Sequence, residues 1–326
     1  MSVIAITGAT GFIGRHLVPL ALERGHEVRV LVRLGSEKKI ECRDARLSAV
    51  RGKVSDRRSL NALTRGADIF IHLAGVAHSD VSSEQDRISV QAVNVGGTQN
   101  ILDSAREFGV RRVVIASSAH VYDGQRGIAL KEDAPQGAEN IYAESKIKIE
   151  QLATEASGKG LEVVIARPCL TYGPNAAFNL YRLMQAIDRG IYFHAGDRKV
   201  LRSFGSAYSV AAAFLHLAEN GKAGEAYNVA DRDPILLEDF TNDLAARMKR
   251  RRPMRVPYPL VWSAAAGFSV LGMVGFHGPV TLESLRKLTD PFSLSTEKLA
   301  ASGFEWPDNG ERAREDMVRT YLAGKI

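Results

Sequence analysis

The chain has 326 residues, 45% hydrophobic and 25% charged; that is enough for one large or two modest globular domains, and the balance excludes a disordered or low-complexity protein. Lys and Arg outnumber Asp and Glu by 43 to 37, a net charge of +6, and the excess is spread out apart from Lys249, Arg250, Arg251, Arg252 and Arg255, so nucleic-acid binding is unprompted. The two cysteines, Cys42 and Cys169, lie far apart without partners at metal spacing, which argues against a disulfide scaffold or a zinc site and fits a cytoplasmic setting.

The chain opens on an apolar strand, residues 3–7, that runs into glycines with no basic region before it, so no signal peptide is expected. Further strands are predicted at 27–32, 49–52, 69–73, 112–117 and 162–167, alternating with amphipathic helices at 13–24, 59–65, 85–108 and 142–157. This alternation predicts an α/β fold: a doubly wound parallel Rossmann sheet whose ligands meet the carboxyl ends of the strands. The dinucleotide domain is assigned to residues 1–170. After Arg167-Pro168 the pattern loosens into helices at about 178–188 and 238–250, which predicts a smaller, mainly helical substrate lobe over 171–326. A short apolar run at 226–230 is expected to return to the sheet, so the chain rejoins the first domain at about 205–230. Residues 256–282 contain no Asp, Glu, Lys or Arg and are long enough to span a bilayer, yet Pro257, Pro259 and four glycines oppose a span. A buried or groove-lining helix is expected there, with a membrane-surface helix beside the basic run as the second reading.

Two motifs carry chemistry. Gly8, Gly11 and Gly14 form a Gly-x-x-Gly-x-x-Gly turn between the first strand and first helix, where a pyrophosphate can approach the backbone and the positive helix end. Tyr142 and Lys146, four residues apart on one helix face, follow Ser118 at the end of a strand. A cation beside a phenol favours phenolate, and a shift of ~3 units toward neutrality takes roughly 4 kcal/mol of differential interaction. Such a tyrosine exchanges protons near neutral pH. The same spacing recurs at Tyr321 and Lys325, but Gly324 lies inside it and no serine-bearing strand precedes it, so that copy is read as structural.

The blocks Thr7-Gly8-Ala9-Thr10-Gly11-Phe12-Ile13-Gly14, Leu73-Ala74-Gly75, Asn94-Val95-Gly96-Gly97-Thr98, Ser117-Ser118-Ala119-His120-Val121-Tyr122, Tyr142-x-x-x-Lys146 and Arg167-Pro168-x-x-x-Tyr172-Gly173-Pro174 occur in that order. Together they resemble the extended short-chain dehydrogenase/reductases, in particular the NAD(P)-dependent nucleotide-sugar epimerase/dehydratase family and its 4-epimerase and 4-ketoreductase branch. The resemblance implies catalysis by Ser118, Tyr142 and Lys146. It implies a dinucleotide held by Gly8, Thr10, Gly11, Phe12, Ile13, Arg33, Val54, Leu73, Ala74, Gly75, Asn94, Tyr142, Lys146 and Pro168. Ser118, His120, Asn179 and Arg202 are the substrate residues it implies, the last two toward the diphosphate. The substrate is then a nucleoside-diphosphate sugar, and the superfamily often forms homodimers through two helices.

Two departures refine these expectations. An acid at the end of the second strand would bind an adenosine ribose, whereas this chain has Val32-Arg33, which suits a 2′-phosphate; NADP is therefore expected over NAD. Gly52-Lys53-Val54 lacks the acid that usually follows the glycine. Water-eliminating relatives carry an Asp-Glu pair after the serine, and Ala119-His120 stands there instead, so 4-keto reduction or 4-epimerisation is expected rather than dehydration. A reductase of a non-sugar carbonyl, an enzyme of lipid-linked sugar and a non-catalytic NADP(H) sensor are the competing readings.

Overall fold

The computed structural model describes residues 1–326 except 37–39, 41, 77–83, 123–126, 177–178, 273–281, 309 and 325–326; Phe178, Met273, Val274, Phe276 and Lys325 thus lie outside the described residues. In chain order the first half contains β1 (Val3–Thr7), α1 (Gly14–Glu23), β2 (Glu27–Val32), β3 (Leu47–Arg51), α2 (Arg57–Thr64), β4 (Ile69–His72), α3 (Glu84–Val90), α4 (Gly97–Glu107), β5 (Arg112–Ala116), β6 (Gly127–Leu130), α5 (Ile141–Gly158) and β7 (Glu162–Pro168). The second half contains β8 (Leu170–Tyr172), α6 (Asn179–Asp188), β9 (Phe193–Ala195), β10 (Leu201–Arg202), β11 (Phe204–Ser206), α7 (Ala207–Asn220), β12 (Ala226–Val229), β13 (Ile235–Leu236), α8 (Leu237–Arg247), β14 (Met254–Val256), α9 (Tyr258–Gly272), α10 (Leu282–Thr289), β15 (Phe292–Leu294), α11 (Glu297–Ala301) and α12 (Glu311–Leu322).

Strands rich in Val and Ile, with helices between them, form a seven-stranded sheet in the order β12-β7-β5-β4-β1-β2-β3, parallel at every pairing. Such strands are apolar throughout because both faces are covered: all four residues of β4 are buried. One face packs against α1 and α7 through Leu17, Val18, Val210 and Phe214; the other packs against α2, α4 and α5 through Leu60, Ile101 and Ile149. β1 pairs with β2 on one side and β4 on the other, so the strand order reverses there and a crevice opens beyond their carboxyl ends.

The helix expected over 85–108 is interrupted: residues Gln91–Gly96 form a π-helical turn between α3 and α4. The extra residue per turn re-aims the side chains that follow, and Asn94 within it is fully buried.

The second lobe has its own core of Leu180, Met184, Phe240, Leu244 and Met317, on which Tyr172 and Phe204 also pack. A four-stranded sheet, β13-β10-β15-β6, and the two-strand pairs β11-β8 and β14-β9 complete it. Of residues 256–282, where a buried or groove-lining helix is expected, 273–281 lie outside the described residues. α9 covers Tyr258–Gly272 and buries Val261 and Ala265 against Leu285, while Leu260 is 63% and Trp262 49% exposed. No helix of the described residues is long and apolar enough to cross a membrane.

Candidate active site

The glycine turn is shaped by close backbone approaches. Gly8 has φ +76°, a left-handed conformation that favours glycine, and a Cβ on it would lie 2.7 Å from Ala74 N and from Leu73 C. A Cβ on Gly14 would overlap Gly8 O, and Gly11 N donates to Gly8 O at 2.9 Å. Leu73 and Ala74 therefore border the turn, with Thr10, Phe12 and Ile13 in it. α1 has no side-chain cap and no acid in its first turn, so no carboxylate there opposes an anion at its positive dipole end. Arg33 is exposed directly after β2. Val54 buries its side chain and would touch a Cβ on Gly97 at 2.8 Å.

Ser118 caps the 3-10 turn Ala119–Val121 at the end of β5, where its Oγ accepts from His120 N at 3.2 Å. Tyr142 lies in the first turn of α5, which Asn140 caps by accepting from Ala143 N. One turn on, Lys146 is only 5% exposed; its Nζ donates to Ala116 O at 2.8 Å and sits 5.5 Å from the centre of the Tyr142 ring. Burial lowers the Lys146 ammonium to about 8, against the opposing charge of Glu150. The His120 ring meets Tyr142 edge-on at 5.6 Å, and a Cβ on Gly75 would lie 3.7 Å from Lys146 Nζ. Ser118, His120, Tyr142, Lys146, Gly75 and Asn94 thus converge at the carboxyl ends of β4 and β5. Pro168 ends β7 in the same sheet. Asn179 and Arg202 are carried by the second lobe, Asn179 exposed at the start of α6 and Arg202 half-buried on β10.

Two buried networks hold this cluster, and neither was singled out from the sequence. In the first, Asn94 accepts from Val76 N at 2.8 Å and donates to Val76 O and to Ser145 Oγ, while Ser145 donates to Tyr142 O. Thr98 donates to Asn94 O and contacts His72, whose other ring nitrogen meets Thr7 Oγ1 at 2.7 Å. In the second, Arg167 grips both oxygens of Glu150 at 2.8 and 2.7 Å, and Ser117 and Gln136 donate to the same carboxylate. Arg167 also donates to Tyr122 Oη, which in turn donates to Asn228 on β12. Glu150 lies four residues beyond Lys146 on the same helix face, a spacing that was visible in the sequence. Among the described residues no group of three His, Cys, Asp or Glu side chains could hold a metal ion.

The sequence profile described as the NAD dependent epimerase/dehydratase family matches residues 4–230. The chain belongs to that family. The matched span takes in the glycine turn, Tyr142 and Lys146. A 3 beta-hydroxysteroid dehydrogenase/Delta 5-->4-isomerase of Mycobacterium tuberculosis is 29% identical over 293 residues, covering 85% of this chain and 78% of that protein. The N-acetyl-alpha-D-glucosaminyl-diphospho-ditrans,octacis-undecaprenol 4-epimerase of Escherichia coli O157:H7 is 25% identical over 310 residues, covering 93% of this chain and 90% of its own length. Among solved structures, MoeE5 in complex with UDP-glucose and NAD superposes with a TM-score of 0.75 at 22% identity, covering 100% of both chains. The names of the two sequence relatives differ in what they act on, and the MoeE5 superposition shows a shared fold.

Proposed function

We propose that this family member transfers a hydride at C4 of a nucleoside-diphosphate sugar, reducing a 4-keto group or inverting a 4-hydroxyl, with Tyr142 exchanging the proton. The observation that carries it is the buried Lys146 Nζ, fixed by Ala116 O and held over the Tyr142 ring beside Ser118. A fixed ammonium favours phenolate over phenol, so Tyr142 can take a proton from a carbinol and return it to a carbonyl oxygen. Ser118 Oγ orients the reacting oxygen. Ala119-His120 in place of an acid pair leaves no carboxylate there to drive elimination. Asn179 and Arg202 take the diphosphate from the second lobe, a helix start and a guanidinium being suitable partners for that anion.

A nicotinamide dinucleotide fits the first domain, because Gly8 and Gly14 have no room for a side chain and the start of α1 lacks any acid. When bound, it supplies or accepts the hydride. Its pyrophosphate belongs at Gly8, Thr10, Gly11, Phe12 and Ile13, its adenosine side at Arg33 and Val54, and its nicotinamide side at Leu73, Ala74, Gly75, Asn94, Tyr142, Lys146 and Pro168. Arg33, with no acid at the strand end, favours NADP, and the enzyme works as a homodimer.

One experiment tests the whole: identify the dinucleotide retained by purified protein, then assay UDP- and dTDP-sugars and their 4-keto forms. NADPH-dependent reduction is the expected result; retained NAD with an inverted sugar assigns epimerisation, and no turnover of any sugar nucleotide rejects the substrate class. A second reading, hydride transfer on a lipophilic alcohol or lipid-linked sugar, is favoured by the steroid dehydrogenase and undecaprenol-linked epimerase among its relatives. Turnover of a hydroxysteroid that is indifferent to Arg202→Ala would decide for it.

A further inference from the structure

Exposed apolar side chains are ordinarily scattered, so their concentration on one small unit marks a surface that meets something other than water. Ten large apolar side chains are exposed among the described residues, and four of them, Ile191, Met254, Leu260 and Trp262, belong to the unit built from β9, β14 and α9. β9 and β14 pair in parallel with Met254 opposite Phe193, so Ile191 and Met254 stand near the same end of the ribbon. α9 packs on this ribbon through Val261 and Ala265, in a cluster that takes in Phe193, Val256 and Tyr258. On α9 Leu260, Trp262, Ser263 and Ala264 are exposed, and the helix carries no charged residue, where a helix facing water normally carries several.

Positive charge rims that apolar face. Lys249, Arg251 and Arg252 are exposed just before β14, and no ion pair engages them among the described residues. Arg198 lies over the Tyr258 ring at 4.4 Å, at the start of α9, with exposed Lys199 beside it. The nearby acids are already taken, Asp188 by Arg250 and both Asp197 and Glu238 by Arg255. An apolar helix flank edged by unneutralised cations suits a surface that is apolar inside and anionic at its boundary. A second copy of the chain fits less well, since a two-fold contact through this face would set the same cations against themselves.

We propose that the β9–β14–α9 unit docks the protein peripherally on an anionic lipid bilayer. Leu260 and Trp262 enter the headgroup boundary, and Lys249, Arg251, Arg252 and Arg198 lie at the lipid phosphates. This docking is independent of which substrate the active site takes. The test is co-sedimentation of the full-length protein with phosphatidylcholine vesicles, with and without phosphatidylglycerol, alongside tryptophan emission. Binding to the anionic vesicles alone, release by salt and a blue shift of the emission are expected. Arg251→Gln with Arg252→Gln should weaken binding about thirtyfold, at the strength typical of a cation near such a surface. Leu260→Ser with Trp262→Ser should abolish it, while circular dichroism shows both double variants folded. Absence of binding to anionic vesicles, equal binding to neutral ones, or binding that neither pair of substitutions changes overturns the proposal. So does a concentration-dependent dimer that Leu260→Ser with Trp262→Ser dissolves without any vesicle binding, which would give the face to a second copy.

Discussion

Lys146 shows how far a single residue can be followed from the sequence. Its spacing from Tyr142 placed both on one helix face, but only packing reveals that the ammonium is buried against Ala116 O and lowered to about 8. Replacing Tyr142 with Phe removes the proton donor and keeps the ring, so turnover should fall by roughly 10²–10⁴-fold with little change in melting temperature. Steady-state kinetics beside calorimetry would check this, and a variant within threefold of wild type would remove Tyr142 from the reaction. Glu150 behaves differently. Arg167, Ser117 and Gln136 all donate to it, and it is 5% exposed, so Glu150→Gln leaves a buried guanidinium without its counter-charge. Breaking a buried pair in this way typically costs ~3–5 kcal/mol, and denaturant titration should register it. Glu150 was legible as a neighbour of Lys146, whereas Arg167 was not legible as its partner, because β7 meets α5 only once the sheet has formed.

At the scale of elements, the Gly8–Gly14 turn was readable because its requirement is steric and local. A methyl at Gly14 would overlap Gly8 O, so Gly14→Ala must push α1 away from the turn. Equilibrium binding of NADPH should weaken by at least tenfold, and an unchanged dissociation constant would detach the turn from dinucleotide binding. The π-helical turn was not readable, since periodicity across residues 85–108 continues through it. Its function emerges from contacts made elsewhere: Asn94 holds Val76, four residues beyond β4, and reaches Ser145 on α5. Asn94→Ala leaves the Val76 N–H and the Ser145 hydroxyl without that partner, at a cost of ~1–3 kcal/mol for each group left unsatisfied. The variant should lose stability and also lose turnover beyond what instability explains, when both are measured well below its melting temperature. α9 was legible only in part for the same reason: composition fixed an uncharged segment, and tertiary contact decides which of its described residues are covered, Val261 and Ala265 but not Leu260 and Trp262.

Across the whole molecule, a buried histidine, His72, and a half-buried one, His16, tie stability to pH. Burial lowers His72 to about 3, aided by the Lys146 charge, and lowers His16 to about 4, aided by Arg15, both from an ordinary 6.5. Below pH 6.5 the unfolded chain takes up protons that the folded protein refuses, so the stability these groups support is complete above 6.5 and is lost as pH falls toward 4 and 3. His72→Gln should flatten the fall in melting temperature on the acid side; an unchanged slope would mean that other groups set it. The alternation of apolar strands and amphipathic helices determined the doubly wound sheet, because strand and helix periods are local properties of the chain. The glycine turn and the shared helix face of Tyr142 and Lys146 were legible in the same way, since a spacing has one geometric meaning once its element is known. What only the tertiary structure decided are the joins: Arg167 on Glu150, His72 between Thr7 and Thr98, the choice of β7 as the neighbour of β12, and the burial of Val261 and Ala265 on α9. These pairings link residues distant in sequence through hydrogen bonds and desolvation, and neither exists until the chain has closed around them.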